Sequence, residues 1–467
     1  MKAVLISTYE LGHQPFGLAS PASWLSDAGI DTTCVDLSLE RIDKDLISEV
    51  EFIGFYLPMH TATRIAVPVI EALRELNPTA HLCAFGLYAP MNSDFLRRLG
   101  MNSIIGGEFE TELVELVRRL KAGVAENDPN SINEIQLIKQ TFRIPERQGL
   151  PGLSQYAHLV MPDESHRTVG YTEATRGCKY LCRHCPIVPV YGGRFMIVQQ
   201  DVVLKDIDQQ IEAGAQHITF GDPDFFNGVG HSLKIVDAFH EKWPDVTYDV
   251  TIKVEHLVMY AHKLSTLKET GCLFVTTAVE AVDDEILVHL DKGHSHGDFV
   301  RAVALCRDIG IGLNPTFVAF TPWTTISGYR DLLRALIDLE LVTSVSPVQF
   351  AIRLLIPRGS RVLELDSVQS VIGAYDEESL CYPWENPDRR VDDLQQQVEE
   401  IVEKATETDL PRTVIFEKIW EVVNQQVGGK ASLSPHSISK NREPLPYLSE
   451  PWYCCAEPTN KQLEGFI

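Results

Sequence analysis

Thr175-Arg176-Gly177-Cys178-Lys179-Tyr180-Leu181-Cys182-Arg183-His184-Cys185-Pro186 follows directly on Val169–Ala174, a short apolar run that reads as a strand. The cysteines are spaced C-x3-C-x2-C on a stretch without helical or strand period, so they lie on a loop. Three thiolates at this spacing can each reach one iron of a cubane, leaving the fourth iron without a local protein ligand and open to chemistry. A zinc site completed by His184, or a set of buried cysteines, is the competing reading. The place of the loop favours the cluster, because barrel active sites are built from loops at the carboxyl ends of strands.

Outward from the loop, residues 167–365 alternate strand and helix patterns. Strands are expected near Val169–Ala174, His217–Phe220, Val246–Ile252, Leu273–Val279, Gly312–Phe317 and Val345–Leu355, an open, partial (β/α)6 version of the parallel barrel. Array and setting resemble the radical SAM superfamily, a likeness that covers about Thr168 to Leu365. It implies that Cys178, Cys182 and Cys185 hold a 4Fe-4S cluster whose open iron is chelated by the amino and carboxylate groups of S-adenosylmethionine (SAM). It also implies that His184, where relatives carry an aromatic residue, lies near the adenine; the glycine pair Gly192-Gly193 that follows either lets backbone come close to the cofactor or makes an ordinary turn.

The second strand runs into Gly221-Asp222-Pro223-Asp224, where relatives carry a Gly-Gly-Glu-like segment on the SAM amino group; Asp222 and Pro223 replace the second glycine and the glutamate. Carbonyls and a carboxylate there can accept charge-assisted hydrogen bonds from an ammonium. Glu280 ends the fourth strand, where relatives bind the ribose, and a carboxylate can accept from both hydroxyls. Lys253 at the third strand's end, Asn314 and Thr316 on the fifth, and Gln349 and Arg353 on the sixth complete the candidate SAM pocket, subject to the alternation of strand faces.

Upstream, residues 1–123 read as a doubly wound, flavodoxin-like or Rossmann-like domain. Strands are expected near Ala3–Ser7, Thr32–Asp36, Phe52–Tyr56, Leu82–Phe85 and Ser103–Ile105, with helices over Leu18–Ser26, Arg64–Leu76, Asp94–Leu99 and Glu110–Leu120. Residues 124–166, rich in Asn, Asp, Pro and Glu, read as a linker. The first domain resembles the cobalamin-binding domains of one large class of radical SAM enzymes, including the segment Gly106-Gly107-Glu108-Phe109-Glu110 before its last helix. The Asp-x-His-x-x-Gly motif that ligates cobalt from below is absent; His13 and Gln14 stand after strand one instead. Cobalamin bound without a protein histidine on cobalt is expected, against a fold that kept its shape and lost the cofactor or that takes another ligand.

Downstream, residues 366–467 carry two amphipathic helices, Val391–Thr406 and Arg412–Gln426, and an extended, Pro-containing tail ending in Cys454-Cys455-Ala456-Glu457-Pro458. Adjacent cysteines make a strained disulfide and suit free thiols that clamp a soft atom. The tail resembles the CUAEP/CCAEP-tail radical SAM proteins, some with selenocysteine at the second position; that resemblance brings no established reaction. A looser likeness to enzymes that build carbon–arsenic bonds makes Cys454 and Cys455 candidate substrate thiols for a metalloid such as arsenite.

Composition bounds the rest. A formal net charge of -24 disfavours nucleic-acid partners, since their affinity comes mostly from cations on phosphates. Ten cysteines in 467 residues do not form a disulfide framework, which fits a reducing cytoplasm, and no segment approaches the roughly 18 apolar residues of a membrane span. The expectation is a cytoplasmic enzyme that cleaves SAM to modify a small molecule, with a flavodoxin- or ferredoxin-type electron donor and cobalamin-dependent methyl transfer. Transfer of a methyl or 3-amino-3-carboxypropyl group to a metalloid, and a non-catalytic cobalamin or redox sensor, are the alternatives.

Overall fold

The computed structural model describes residues 1–123, 134–408, 410–427 and 445–450. Six parallel strands form the first sheet: β1 Lys2–Ser7, β2 Asp31–Asp36, β3 Phe52–Tyr56, β4 His81–Phe85, β5 Ser103–Gly107 and β6 Ile135–Gln136, in the order β2-β1-β3-β4-β5-β6. Ala3, Val4, Leu5 and Ile6 are all buried, as a strand covered by helices on both faces requires. Helices Phe16–Asp27 and Glu110–Lys121 and helix His60–Leu76 supply those covers with Leu18, Leu25, Leu113 and Val117 in one core and Ile65, Val69 and Ile70 in another. The strand order reverses between β1 and β3, and in such sheets ligands bind outside the carboxyl ends at that point.

The second sheet curls into a half-barrel. Its strands are β7 His158–Val160 and β8 His166–Thr172, then, beyond the short hairpin of β9 Thr175–Gly177 and β10 Phe195–Ile197, β11 His217–Phe220, β12 Thr247–Thr251, β13 Cys272–Glu280, β14 Gly312–Phe317 and β15 Tyr447–Leu448. Their order is β14-β13-β12-β11-β8-β7-β15, parallel from β8 to β14 and antiparallel where β7 meets β8 and β15. Tyr248 and Val250 point into the helical layer and are fully buried, so Thr247, Asp249 and Thr251 face the lumen. There Asp249 Oδ1 lies 2.9 Å from His217 Nε2 and accepts from Thr219 Oγ1 at 2.7 Å.

Two elements depart from the sequence reading. At the sixth position, Val345–Leu355 forms no regular strand: Pro347–Phe350 is a 3-10 turn, and pairing shrinks to one parallel bridge, Phe320 to Arg353. Pro347 has no N–H for a ladder, and the Gln349 side chain accepts from Phe317 N at 2.9 Å, where a neighbouring strand's carbonyl would have stood. In the stretch read as a linker, β6 adds to β5 and β7 extends the half-barrel beyond β8, where β15 from the C-terminal region pairs with it. Helices Arg389–Thr408 and Arg412–Gln426 bury Leu394, Val398, Phe416 and Ile419 in the same core as the barrel helices.

Candidate active site

The hairpin of β9 and β10 frames the cysteine loop. Gly177 at its start has φ of 75°, and a side chain there would collide with the Tyr191 ring and the Arg194 carbonyl. Cys182 is buried and Cys178 and Cys185 are half-buried, with Cys185 N donating to Cys182 O at 3.2 Å. Burial pushes the Cys185 thiol up to about 12, with Cys182 raising it further; burial also raises Cys178. Such mutually repelling sulfurs need a cationic group to become thiolates, which is what an iron cluster provides. Among the described residues no three His, Cys, Asp or Glu side chains converge as they would around a single ion.

His184 turns away from the cysteines. Its Nε2 lies 3.1 Å from Glu280 Oε1, which also accepts from Lys292 Nζ at 3.1 Å. Burial acts to raise the Glu280 carboxyl, but Lys292 and then His184 outweigh it and hold the group well below the carboxylate range. Lys292 is held above its ordinary value by Glu280, against burial. Glu280 sits at φ of 68°, beside an irregularity in the β13–β14 register, a strained conformation of the kind kept at functional sites.

On the other side of the loop, Asp222 braces its entrance, accepting from Thr175 Oγ1 at 2.6 Å and Ala174 N at 3.0 Å; burial pushes its carboxyl up to about 7. Gly221 packs so closely on the Tyr171 ring that a side chain would collide with it, and Pro223 is half-buried between the two aspartates. Asp224 Oδ1 accepts from Phe226 N and Lys253 N, while Oδ2 lies 2.7 Å from His256 Nδ1, both residues fully buried. His256 Nε2 is 2.8 Å from the Tyr180 hydroxyl, and Lys253 Nζ sits 3.3 Å above the Tyr180 ring. On β14, Asn314 donates to Thr276 Oγ1 on β13 at 3.3 Å, and Thr316 is likewise half-buried.

His184, Asp224, Lys253 and Glu280 thus gather around the cysteine loop, whereas Gln349 and Arg353 do not. Gln349 is spent on Phe317 N. Arg353 donates to Asp392 Oδ1 at 2.6 Å and stacks 3.6 Å over Trp384, which ties it to the C-terminal helices. Lys292, His256 and Tyr180 escaped the sequence reading, and no local pattern marks the first two.

At the carboxyl edge of the first sheet, Ser7 Oγ, Glu10 Oε2 and His60 Nδ1 are buried without a hydrogen-bond partner, at the ends of β1 and β3 where the strand order reverses. Burial raises the Glu10 carboxyl well above its ordinary value. Buried orphans grouped at a switch point fit a polar ligand there. The residues expected to serve it do other work. His13 lies 4.8 Å from the Tyr171 ring, its imidazole lowered to about 4 by burial, and Gln14 is held by Pro151 O at 2.9 Å and Arg147 at 2.8 Å. The space above Gly106 is filled by Pro90 and that above Gly107 by the Gln136 carbonyl, where β6 pairs with β5. Glu108 accepts from Tyr191 Oη at 3.0 Å and Gln140 Nε2 at 3.2 Å.

Arg176, two residues before Cys178, joins the domains. Its guanidinium is 2.6 Å from Glu110, 2.8 Å from Glu173 and 3.5 Å from Glu108, and 4.9 Å over the Phe142 ring. Burial pushes the Glu108 carboxyl up to about 7, with Arg176 opposing and Glu110 reinforcing. For Glu110 burial acts upward too, but Arg176 and Ser20 prevail and its carboxyl is lowered.

Comparison with known proteins gives the same assignment. Residues 172–324 match the radical SAM superfamily, a span that contains the cysteine loop, Asp224, Lys253, Glu280 and Lys292. A methylthiotransferase-like protein of Methanocaldococcus jannaschii is 21% identical over 326 residues, 65% of this chain and 68% of that one. Among solved structures, the cobalamin-dependent SAM radical enzyme OxsB with aqua-cobalamin and SAM superposes with a TM-score of 0.69 at 13% identity, covering 91% of this chain and 75% of that chain. The radical SAM methyltransferase TsrM of Kitasatospora setae, with tryptophan and a SAM analogue, gives 0.61 at 16% identity over 78% and 75%. A radical SAM domain implies a 4Fe-4S cluster and SAM. The chain therefore carries a radical SAM domain over residues 172–324 and shares the fold of the cobalamin-dependent enzymes OxsB and TsrM.

Proposed function

We propose that Cys178, Cys182 and Cys185 hold the cluster, and that the enzyme modifies a small molecule by cobalamin-dependent methyl transfer. When bound, the cluster and SAM supply one-electron cleavage of the sulfonium, and cobalamin supplies a methyl carrier. The observation that carries this reading is the loop's position beside a buried, ionised Glu280. Its Oε1 is engaged by Lys292 and His184, which leaves Oε2 free to accept from the SAM ribose, and His184, one residue before Cys185, would line the adenine. The Gly221 backbone would receive the SAM ammonium, while Asp222 locks the loop entrance. The orphaned Ser7, Glu10 and His60 atoms support cobalamin at the switch point, without histidine on cobalt. A cytoplasmic setting and a flavodoxin- or ferredoxin-type donor belong to the same reading; no helix among the described residues is long and apolar enough to cross a membrane.

Anaerobic reconstitution under reducing conditions tests it. SAM should be cleaved or demethylated in a reduction-dependent way, and the visible spectrum should carry cobalamin bands besides the iron–sulfur shoulder. No SAM turnover would favour a redox sensor, and a spectrum without cobalamin bands would show a first domain that lost its ligand.

A second reading, transfer of a SAM-derived methyl or 3-amino-3-carboxypropyl group to a metalloid on Cys454 and Cys455, is favoured by one observation. Those cysteines lie outside the described residues, but β15 runs parallel to β8, toward the ends that carry the cysteine loop. The three ligands of the cluster are already supplied by the loop. The double change Cys454→Ala and Cys455→Ala should keep iron content and uncoupled SAM cleavage while product formation stops. Loss of about one cluster's iron would instead make the tail a cluster ligand, and unchanged turnover would make it inert.

A further inference from the structure

Deep in the half-barrel lies a carboxylate without a lysine or arginine beside it. On β11 and β12, Ile218, Phe220, Tyr248 and Val250 fill the helical layer, which leaves His217, Thr219 and Asp249 on the lumen side. Asp249 is 5% exposed, and its hydrogen bonds fall on Oδ1, from His217 Nε2 and Thr219 Oγ1. Oδ2 has no partner among the described residues. The state of His217 follows from its neighbours. Arg167 Nη1 donates to Thr247 Oγ1 at 3.0 Å, and that oxygen lies 2.8 Å from His217 Nδ1. Every group in this chain is satisfied when the Thr247 hydroxyl donates to Nδ1 and Nε2–H donates to Asp249. His217 is then neutral, and Asp249 keeps an uncompensated charge in a buried place, where an unpaired carboxylate costs most. Among the described residues only His217 stands within ion-pair distance of it: Arg167 is turned to Thr247, and Lys253, beyond the end of β12, sits over the Tyr180 ring.

Other polar groups around Asp249 are unpartnered too. Tyr171, level with Thr219 on β8, ends against Gly221, and its hydroxyl has no hydrogen bond among the described residues. His13, from the loop after β1, is 8% exposed and lies 4.8 Å from that ring, and neither of its nitrogens is hydrogen-bonded among the described residues. Burial lowers its imidazole to about 4, which keeps it neutral; Asp249 opposes the shift and His217 adds to it, so both stand within electrostatic reach. Thr251, Thr276, Ala278 and Asn314 line the lumen beyond and are half-buried. Phe274 stacks 6.2 Å from His217 and belongs to the apolar cluster of Leu159 and Val169.

We infer that this part of the lumen takes the substrate, a small primary amine whose ammonium donates to Asp249 Oδ2 and whose body lies along Tyr171 and His13. The inference rests on the radical SAM reading above and names the class of its small molecule. An ammonium brings both the charge and the donors that Asp249 lacks. A carboxylate or phosphate would be repelled, and a neutral hydroxyl would leave the buried charge uncompensated. SAM carries an ammonium of its own, proposed above to lie on the Gly221 backbone, two residues past Thr219. The two ammonium sites are therefore separate.

The test uses the reconstituted full chain with SAM and three probes of similar shape: phenethylamine, phenethyl alcohol and hydrocinnamate, titrated by ligand-detected NMR. The amine should bind at least about tenfold more tightly than the alcohol, and the carboxylate more weakly than either. Asp249→Asn keeps an oxygen for His217 and Thr219 and removes the charge; it should weaken the amine at least about tenfold and leave the alcohol unchanged. Thr251→Lys sets a resident ammonium on the same face of β12 and should exclude the amine with Asp249 intact, so a folding defect in one variant does not decide the matter. The inference is overturned by amine binding that is absent from wild type, no tighter than that of the alcohol, or equal in wild type and Asp249→Asn. It is also overturned if SAM affinity falls together with amine affinity in that variant, which would place Asp249 in the SAM pocket. Failure of the wild type to cleave SAM with dithionite would instead overturn the radical SAM reading, while amine binding could still be measured.

Discussion

Replacing any one of Cys178, Cys182 or Cys185 with alanine should abolish the iron–sulfur absorption and SAM cleavage together. Each thiolate is the protein ligand of one iron, so losing one leaves two irons without protein ligands and the cubane without a stable seat. Among the described residues His184 is occupied by Glu280, Asp224 by His256 and two backbone N–H groups, and Asn227 offers only an amide oxygen, 3.7 Å from Cys178 Sγ. Cys306→Ala serves as the control, since Cys306 is buried in the barrel's helical core and should leave iron content unchanged. Iron and sulfide analysis beside the visible spectrum decides the matter. A full cluster retained in any of the three variants would falsify the ligand assignment.

The second large effect belongs to Arg176. Arg176→Met should destabilise the union of the two domains by about 3–5 kcal/mol near neutral pH, the usual cost of leaving buried charges without their partner. Glu110, Glu173 and Glu108 would all lose the guanidinium that offsets their burial. The pH dependence has a definite sign. In the wild type, the lowered Glu110 carboxyl contributes stability above its ordinary value of 4.5, lost only as pH falls through its lower folded value. In the variant all three carboxyls sit above that value, so they penalise the folded state at high pH and cease to do so once protonated. The deficit should therefore shrink on acidification from pH 8 to about pH 5, as read from denaturation midpoints. A midpoint unchanged from wild type, or a deficit independent of pH, would show that the cluster is not what joins the domains.

Where local pattern carried the information, the sequence was easily read. The apolar runs of β1, β3, β4 and β11 stand out because they are buried on both faces, and the cysteine spacing is itself the chemistry. Glu280 and Asp224 could be found from their places at strand ends. Lys292 and His256 could not, since they meet Glu280 and Asp224 by folding alone and carry no spacing that marks them. The apolar run Val345–Leu355 resembled a strand because burial in a turn and burial in a sheet select the same residues. Gly106-Gly107, singled out because its segment resembles one in cobalamin-binding domains, packs against Pro90 and the backbone of β6. Strands of two or three residues, such as β7 and β15, are too short to show a period at all.

The pairing of β15 with β7 bears on how the chain is made. Ser449 N donates to His158 O at 2.8 Å, across nearly three hundred residues of intervening chain. Contacts this distant along the chain come at a high loop-closure entropy and form late. During synthesis the whole parallel sheet can assemble while β7 still has one side of its backbone unpaired, an edge of the kind that recruits foreign strands. A nascent chain halted before Tyr447 is thus left with an unpaired strand at its rim, which closes only once Tyr447 and Leu448 have been made.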